Sequence, residues 1–582
     1  MGTIADKLTR IITTKEDIRQ ALISKGYDVP TSIPFKEYAK MISDLPCNAD
    51  SFPDIEGIVA RYSALGLTNE QMKENPVWVD KTGNGHDLQL KNFSWKGMSG
   101  IGGYVVDIDE WGTNSTAAYF ERNSIKITAT FKENASLGLL YHNIKLRQSC
   151  VLKVTGIPEG CDAFLDDRLG NRFYMSEDGV YEIIPSNFLA EALYLSIEKY
   201  PERWYGSKLT IEQLPLYPGF ILGDGVDDFA VTEKELNFED TYTVYTAFIP
   251  FHNNPTRNMI LCGADSKKTF SMQYSSLVYV SFIAGNNYYI NADFVNGLNL
   301  FACKRNGNNI CIKNLLTNKV VTGTCGDWVE NAGLYYLWKN ATYASFAKAA
   351  IAGQTICNGY FSTDEDDEKV LDWYKKQYPW LFPDQAWTVV GKTNEDEDRA
   401  TIANITGNGN NLVLSNFGFI EGSGYNKEGE YAGYLVTDGV DDAIYSSNFS
   451  MPDHWTVVGE WKMLKNSNTY ELAGINKYDS FILYNYSYNN RIAVYIHSGK
   501  ETTINTDSIK AFTSTGLLYI DDFNVKEVTT ADKIDLGHLL FIGYNNNVFT
   551  KLAFKNLAIY PTVLSKDDCI KAYNYLQTLK SK

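Results

Sequence analysis

The 582 residues predict a mainly β protein, in which two sandwiches share one design and the first is interrupted by a third, behind a short helical segment. Three observations predict this. The chain writes one line twice, "TGNGHDLQLKNFSW" from Thr82 and "TGNGNNLVLSNFGF" from Thr406. A second line, "GDGVDDFAVT" from Gly223 and "TDGVDDAIYS" from Thr437, follows each copy at a different distance. Aromatic residues make up 14% of the chain, led by 39 Tyr, and such side chains pack well on a pleated surface.

Residues 1–47 read as helical. Ile4, Leu8, Ile11 and Ile12 form one stripe, and Thr14 with Asp17 makes a variant capping box for a second helix that carries Ile18, Ala21 and Leu22 and stops at Gly26. A third begins near Pro34 and presents Phe35, Tyr38, Ala39, Ile42 and Leu45. So short a segment makes a poor core of its own. It predicts either a cap on the next domain or an attachment and self-association surface, built on Ile11, Ile18, Leu22, Phe35, Tyr38, Ile42 and Leu45.

After Pro46 the period changes to two. Asn-Gly in each TGNG is a turn signal, and Leu88 with Leu90, like Leu412 with Leu414, alternates in the strand that follows. Three more pairs keep the same order: "TYTVYTAFIPF" with "HWTVVGEWKML", "ICIKNLLTNKVV" with "LYIDDFNVKEV", and a closing acid-started helix, "STDEDDEKVLDWYKKQ" with "LSKDDCIKAYNYLQ". From Thr82 to Asp224 is 142 residues and from Thr406 to Asp438 is 32, so the first copy holds 110 more. That is a small domain's worth, and its segments "SIKITATF", "LGLLYHNI", "CVLKVTGI" and "ALYLSIEKY" are strand-like. The predicted domains are 1–47, a first sandwich at 48–104 and 216–382, an inserted sandwich at 105–215, and a second copy at 383–582.

Composition excludes several functions. A net charge of −17 with no basic cluster argues against nucleic acid. There is no run of about twenty apolar residues to span a membrane, no secretory leader, and Asp6 breaks the myristoylation pattern. The nine cysteines are scattered and odd in number, as in a reducing cytoplasm. Cys303 and Cys311 flank "KRNGNNI", and a three-residue loop at 306–308 would set them opposite each other, as two packed thiols or a disulfide. The six histidines have no zinc spacing, and no cofactor or metal is expected. The carboxylates of DGVDD offer oxygen ligands of the kind calcium takes; the simpler reading is a turn in which Asp caps backbone amides.

The ordered set of TGNG strand, DGVDD, aromatic strand, hairpin and terminal helix resembles the laminin-G-like and concanavalin-A-like lectin fold. The resemblance implies tandem jelly-roll sandwiches that bind glycans or proteins at loop rims or a concave sheet. Hydrolases of that fold use Glu-x-Asp-x-(x)-Glu on one strand face. The nearest approach here is Asp107, Asp109 and Glu110, with Asp in the nucleophile's place and Glu110 adjacent to Asp109 rather than two residues on; no catalytic residue is expected. Residues 4–45 resemble the helical leader of virion proteins of crAss-like tailed gut phages, which implies a head or tail fibre or decoration protein. Its partners would be other virion proteins (capsid, portal or tail), a second or third copy of itself, and host-surface or mucosal glycans. It would be made in the host cytoplasm and displayed on the virion. A ligand-free decoration protein and a glycan hydrolase are the rival readings.

Overall fold

In a computed structural model, the described residues are 52–581, apart from short segments of which the longest are 184–191, 252–258 and 528–538. The helical prediction for 1–47, with its seven attachment residues, lies outside them.

The first sandwich has two eight-stranded antiparallel sheets. One runs Lys319–Thr324, Asn309–Asn314, Asn299–Asn306, Thr241–Pro250, Lys348–Asn358, Tyr217–Asp224, Gly100–Gly102, with Ile58–Ser63 also paired to Lys348–Asn358. The other runs from Val77–Trp78 through Leu88–Lys91 and Phe229–Thr232 to Tyr289–Asp293. Their inner faces enclose a core that includes Tyr62, Trp78, Leu88, Tyr242, Phe270 and Trp338. Leu88 and Leu90 face this core and Gln89 does not, as period-two alternation requires.

The second sandwich repeats that plan, with two eight-stranded sheets in the same strand order. Bulges recur at Ala247/Phe248 and at Glu460/Trp461 in corresponding strands. Thr243 and Thr456 show how closely the copies agree. Each hydroxyl donates to a carbonyl (Tyr360, 3.1 Å; Thr562, 2.8 Å) and accepts an amide (Ser362, 3.0 Å; Leu564, 2.8 Å), tying the central strand to the start of the terminal helix. Those helices, Asp364–Gln377 and Lys566–Thr578, are capped by Thr363 and Ser565.

Between Gly102 and Tyr217, whose strands pair directly, the chain makes two five-stranded sheets over Gly112–Gln213. They have a separate core that includes Trp111, Leu140, Leu165, Leu195 and Trp204. The second copy closes the same hairpin, Gly424–Tyr425 with Leu435–Val436, by residues 426–434 alone.

The two large sandwiches meet through buried aromatics. Trp380 packs edge-on against Tyr575 with ring centres 5.7 Å apart. The Tyr575 hydroxyl accepts the Leu298 amide at 2.8 Å, and Tyr560 donates to the Trp380 carbonyl at 3.0 Å.

Cys303 and Cys311 do not face each other. The turn holds two residues, Gly307 and Asn308, so Asn306 pairs with Asn309, Cys303 lies opposite Ile312 and Cys311 opposite Lys304. The extra loop residue assumed from the sequence is a strand residue. The one-step shift sends the two thiols to opposite faces, and both are free.

Candidate binding face on the inserted sandwich

The twice-written lines are scaffolding. Asp80 Oδ1 accepts the amides of Arg61 and Thr82, each at 3.0 Å, and the Thr82 hydroxyl at 2.8 Å. In the second copy Asn404 Oδ1 does the same for Ala386 (3.1 Å), Thr406 (3.1 Å) and the Thr406 hydroxyl (3.0 Å). Asn92 and Asn416 adopt left-handed backbone, φ 68° and 67°. Each donates its side-chain amide at 3.0 Å to a carbonyl of the DGVDD loop, Asp227 or Asp441.

Within DGVDD the carboxylates hold the turn. Asp228 Oδ2 accepts the Asp224 amide at 3.0 Å, and Asp224 Oδ1 accepts that of Val226 at 2.7 Å. Asp442 and Asp438 repeat this at 2.7 and 2.8 Å. Burial, reinforced by the neighbouring carboxylates, pushes Asp228 up to about 7 and Asp442 up to about 6. Among the described residues these are the two acidic clusters compact enough to consider for a cation. One oxygen each of Asp224, Asp228, Asp438 and Asp442 accepts a backbone amide, which is the turn reading.

Of the hydrolase-like trio, Asp107 lies outside the described residues. Ile108–Glu110 is a 3-10 turn rather than a strand, with Glu110 exposed. Strand alternation, on which paired carboxylates depend, does not apply there. A cavity of about 220 Å³ where the large sandwiches meet is lined mainly by apolar groups, among them Leu298, Leu316, Leu371 and Leu579.

The constellation with chemical character lies on one sheet of the insert, on strands Gly138–Ile144, Leu193–Glu198, Asp162–Asp166 and Arg172–Met175. Ala163, Leu165, Leu195 and Ile197 point into the core, so the residues between them point out. Register places these in rows across the sheet. Tyr194, Asp166 and Arg172 form one row; Leu139, Ser196, Phe164 and Tyr174 form the next; Glu198 and Asp162 form a third. Rows two residues apart on a strand are about 7 Å apart.

Arginines overlie the aromatic rings. Arg172 sits 4.6 Å above Phe164, whose ring packs 5.3 Å from Tyr174, and its guanidinium reaches the Tyr174 hydroxyl at 3.3 Å. Arg168 lies 4.0 Å over Tyr194. Tyr200, two residues beyond the end of Tyr194's strand, is covered by Arg203 at 4.6 Å. Tyr174 is 44% exposed and Tyr200 49%. Burial alone would raise the Asp162 carboxyl, but hydrogen bonds from Lys199 and Ser176 outweigh it and hold the group below its ordinary value. Phe164 is itself buried beneath Arg172 and Tyr174. The face therefore offers the exposed Tyr174 and Tyr200 rings beside fixed charged donors and acceptors, the combination that grips a sugar ring by its C–H face and its hydroxyls.

Sequence reading missed this face. The signal was present in "DAFLD" and "RFYM", where an aromatic takes an outward position between charged residues; an aromatic among strand residues reads as core unless its neighbours' alternation is counted.

No family model and no curated sequence matches the chain. Solved structures similar to it include the botulinum neurotoxin serotype D ligand-binding domain in complex with N-acetylneuraminic acid (8% identity, 60% of this chain and 90% of that one, TM-score 0.26). Another is a mutant GH54 α-L-arabinofuranosidase soaked with a nitrophenyl arabinofuranoside (10%, 64% and 66%, TM-score 0.25). A third is domain 4 of AbnA, a GH43 arabinanase from Geobacillus stearothermophilus, in complex with arabinotriose (14%, 26% and 80%, TM-score 0.20). At such TM-scores these likenesses carry no argument; the β-sandwich fold rests on the strand pairing itself.

Proposed function

We propose that the chain is a non-enzymatic glycan-binding protein displayed on a phage particle, with the outer face of the inserted sandwich as its binding surface. The observation that carries the binding reading is the exposed Tyr174 ring beside Arg172 and Tyr194 on the outward side of this sheet, with Phe164, Asp166 and Ser196 buried beneath them as support. The two large sandwiches are the rigid mount: their repeated lines are spent on internal hydrogen bonds. The particle assignment is supported by the resemblance of residues 4–45 to phage virion leaders. Their apolar stripes would join the particle and other copies of the chain.

Glycan-array binding by the full chain tests the proposal, with Tyr174→Ala and Tyr194→Ala as controls. Each should weaken binding about tenfold, the scale of one aromatic contact. A folded full chain that binds no bacterial or mucin glycan overturns it. Release of reducing sugar from a bound polysaccharide would replace it with the hydrolase reading.

A further inference from the structure

We infer that this face selects a carboxylate-bearing glycan and that Arg168 is the residue that reads the charge; the inference rests on the glycan-binding reading above. Three arginines lie over aromatic rings on or beside this sheet, and they differ in what their guanidinium groups already hold. Arg203 donates to the Glu159 carbonyl. Arg172 is engaged with Tyr174 and, at 3.8 Å, with Glu198. The Arg168 guanidinium lies over Tyr194, 4.0 Å from the ring centre, with no hydrogen bond or ion pair among the described residues. A stacked guanidinium keeps its in-plane N–H groups free, and that planar fork matches a carboxylate's two oxygens.

The loop is built to hold it there. Arg168 takes a left-handed backbone, φ 56°, which a non-glycine residue adopts only when its surroundings impose it. The surroundings are two aspartates. Asp166 Oδ1 accepts the Arg168 amide at 3.1 Å, and the buried Asp167 accepts the amides of Leu169 (2.8 Å) and Asn171 (3.1 Å) and the Asn171 side chain (2.5 Å). The Arg168 backbone is thus set before a ligand arrives, with its guanidinium over Tyr194 and the exposed Tyr174 ring in the next row for the sugar to rest on.

The chain's net charge of −17 would repel an acidic polymer at long range. Screening limits that repulsion to about 8 Å at physiological salt, so local charge decides. Around Arg168 the acidic groups are already committed: Asp166 and Asp167 to the loop's amides, Glu198 to Arg172.

The test uses the full chain and matched pairs of polymers: polygalacturonate, hyaluronan and polysialic acid, each against its methyl-esterified or carboxyl-reduced form, by calorimetry at two salt concentrations. At least one acid should bind tenfold or more tighter than its neutral partner, with the difference shrinking at high salt. Arg168→Gln should abolish the preference and leave the melting profile unchanged. Equal binding of acid and neutral forms, or binding of neutral glycans alone, overturns the inference and leaves the glycan-binding reading standing. Equal binding of duplex DNA also overturns it, since the recognition would then be of charge alone. Binding of no glycan removes both.

Discussion

Asp367 is the test of how the first sandwich anchors its terminal helix. Its Oδ2 takes Lys304 at 2.8 Å and Lys313 at 3.0 Å, and its Oδ1 takes the hydroxyls of Tyr245 at 2.9 Å and Ser362 at 3.2 Å. Side-chain exposure is 2% for Asp367 and 4% for Lys304. The second sandwich has the same site without charge: register and helix cap place Cys569 where Asp367 stands, Thr513 for Lys304 and Val458 for Tyr245. Asp367→Cys alone leaves Lys304 buried with only the Ser362 carbonyl, at 3.0 Å, while Lys313 keeps Asp364 at 2.6 Å. Stranding one buried charge costs about 3–5 kcal/mol. Replacing the set together, as Asp367→Cys with Lys304→Thr and Tyr245→Val, should cost less than about 1 kcal/mol beyond lost packing, because a neutral core of similar shape is often as stable. Amide hydrogen exchange over 241–250 and 364–377 reads the effect locally, which suits a chain whose parts need not unfold together. The single variant should exchange roughly 10²- to 10⁴-fold faster there, and the triple variant, beyond its lost packing, within roughly tenfold of the parent. A single variant no worse than the triple would refute the reasoning, since the cost could not then come from an unpaired lysine.

Other outcomes follow from the same geometry. Asp228 and Asp442 are held at about 7 and about 6 by burial. A raised carboxyl costs nothing below about pH 4, where it is protonated in both states, and destabilises progressively as pH climbs through the folded value. Asp228→Asn can still accept the Asp224 amide. Its melting temperature should gain on the parent between pH 4.5 and pH 8, by the equivalent of about 1–2 kcal/mol after allowance for solvent near the loop, with Asp442→Asn gaining less; an unchanged gap refutes the burial argument. Asn92→Ala should cost about 2 kcal/mol, by adding left-handed strain to the loss of the Asp227 bond, and Asn92→Gly about 1 kcal/mol less, by denaturant midpoint; equal costs would exclude the backbone contribution. Replacing 103–216 by the nine residues 426–434 should leave a first sandwich that melts cooperatively; loss of that transition would make the insert part of its core. A chain starting at Ser51 should fold yet fail to join particles, checked by particle co-sedimentation; normal incorporation would move the attachment site out of the leader.

The duplication was legible because its hydrogen bonds need particular side chains at particular places. Only a residue with an acceptor at positions 80 and 404 can gather two amides and a hydroxyl, and only residues that tolerate positive φ serve at 92 and 416. The insertion was legible as a difference in spacing between two lines that must adjoin in space. The Arg–aromatic face was not, because an outward Phe164 and an inward Leu165 look alike until register and facing strands are known. The cysteine pair was misjudged by one residue of loop, and in a strand one residue is the difference between two faces.

The inserted sandwich leaves and re-enters its host between two strands that stay bonded to each other, Gly102 to Tyr217. A passenger held this way makes almost no demand on the vehicle: any module whose ends lie a few ångströms apart can ride in the same seat, and the second copy shows the seat empty. If the insert binds as proposed, recombination at the two ends of one hairpin would exchange the binding module whole. The sixteen-strand sandwich around it need not change a residue.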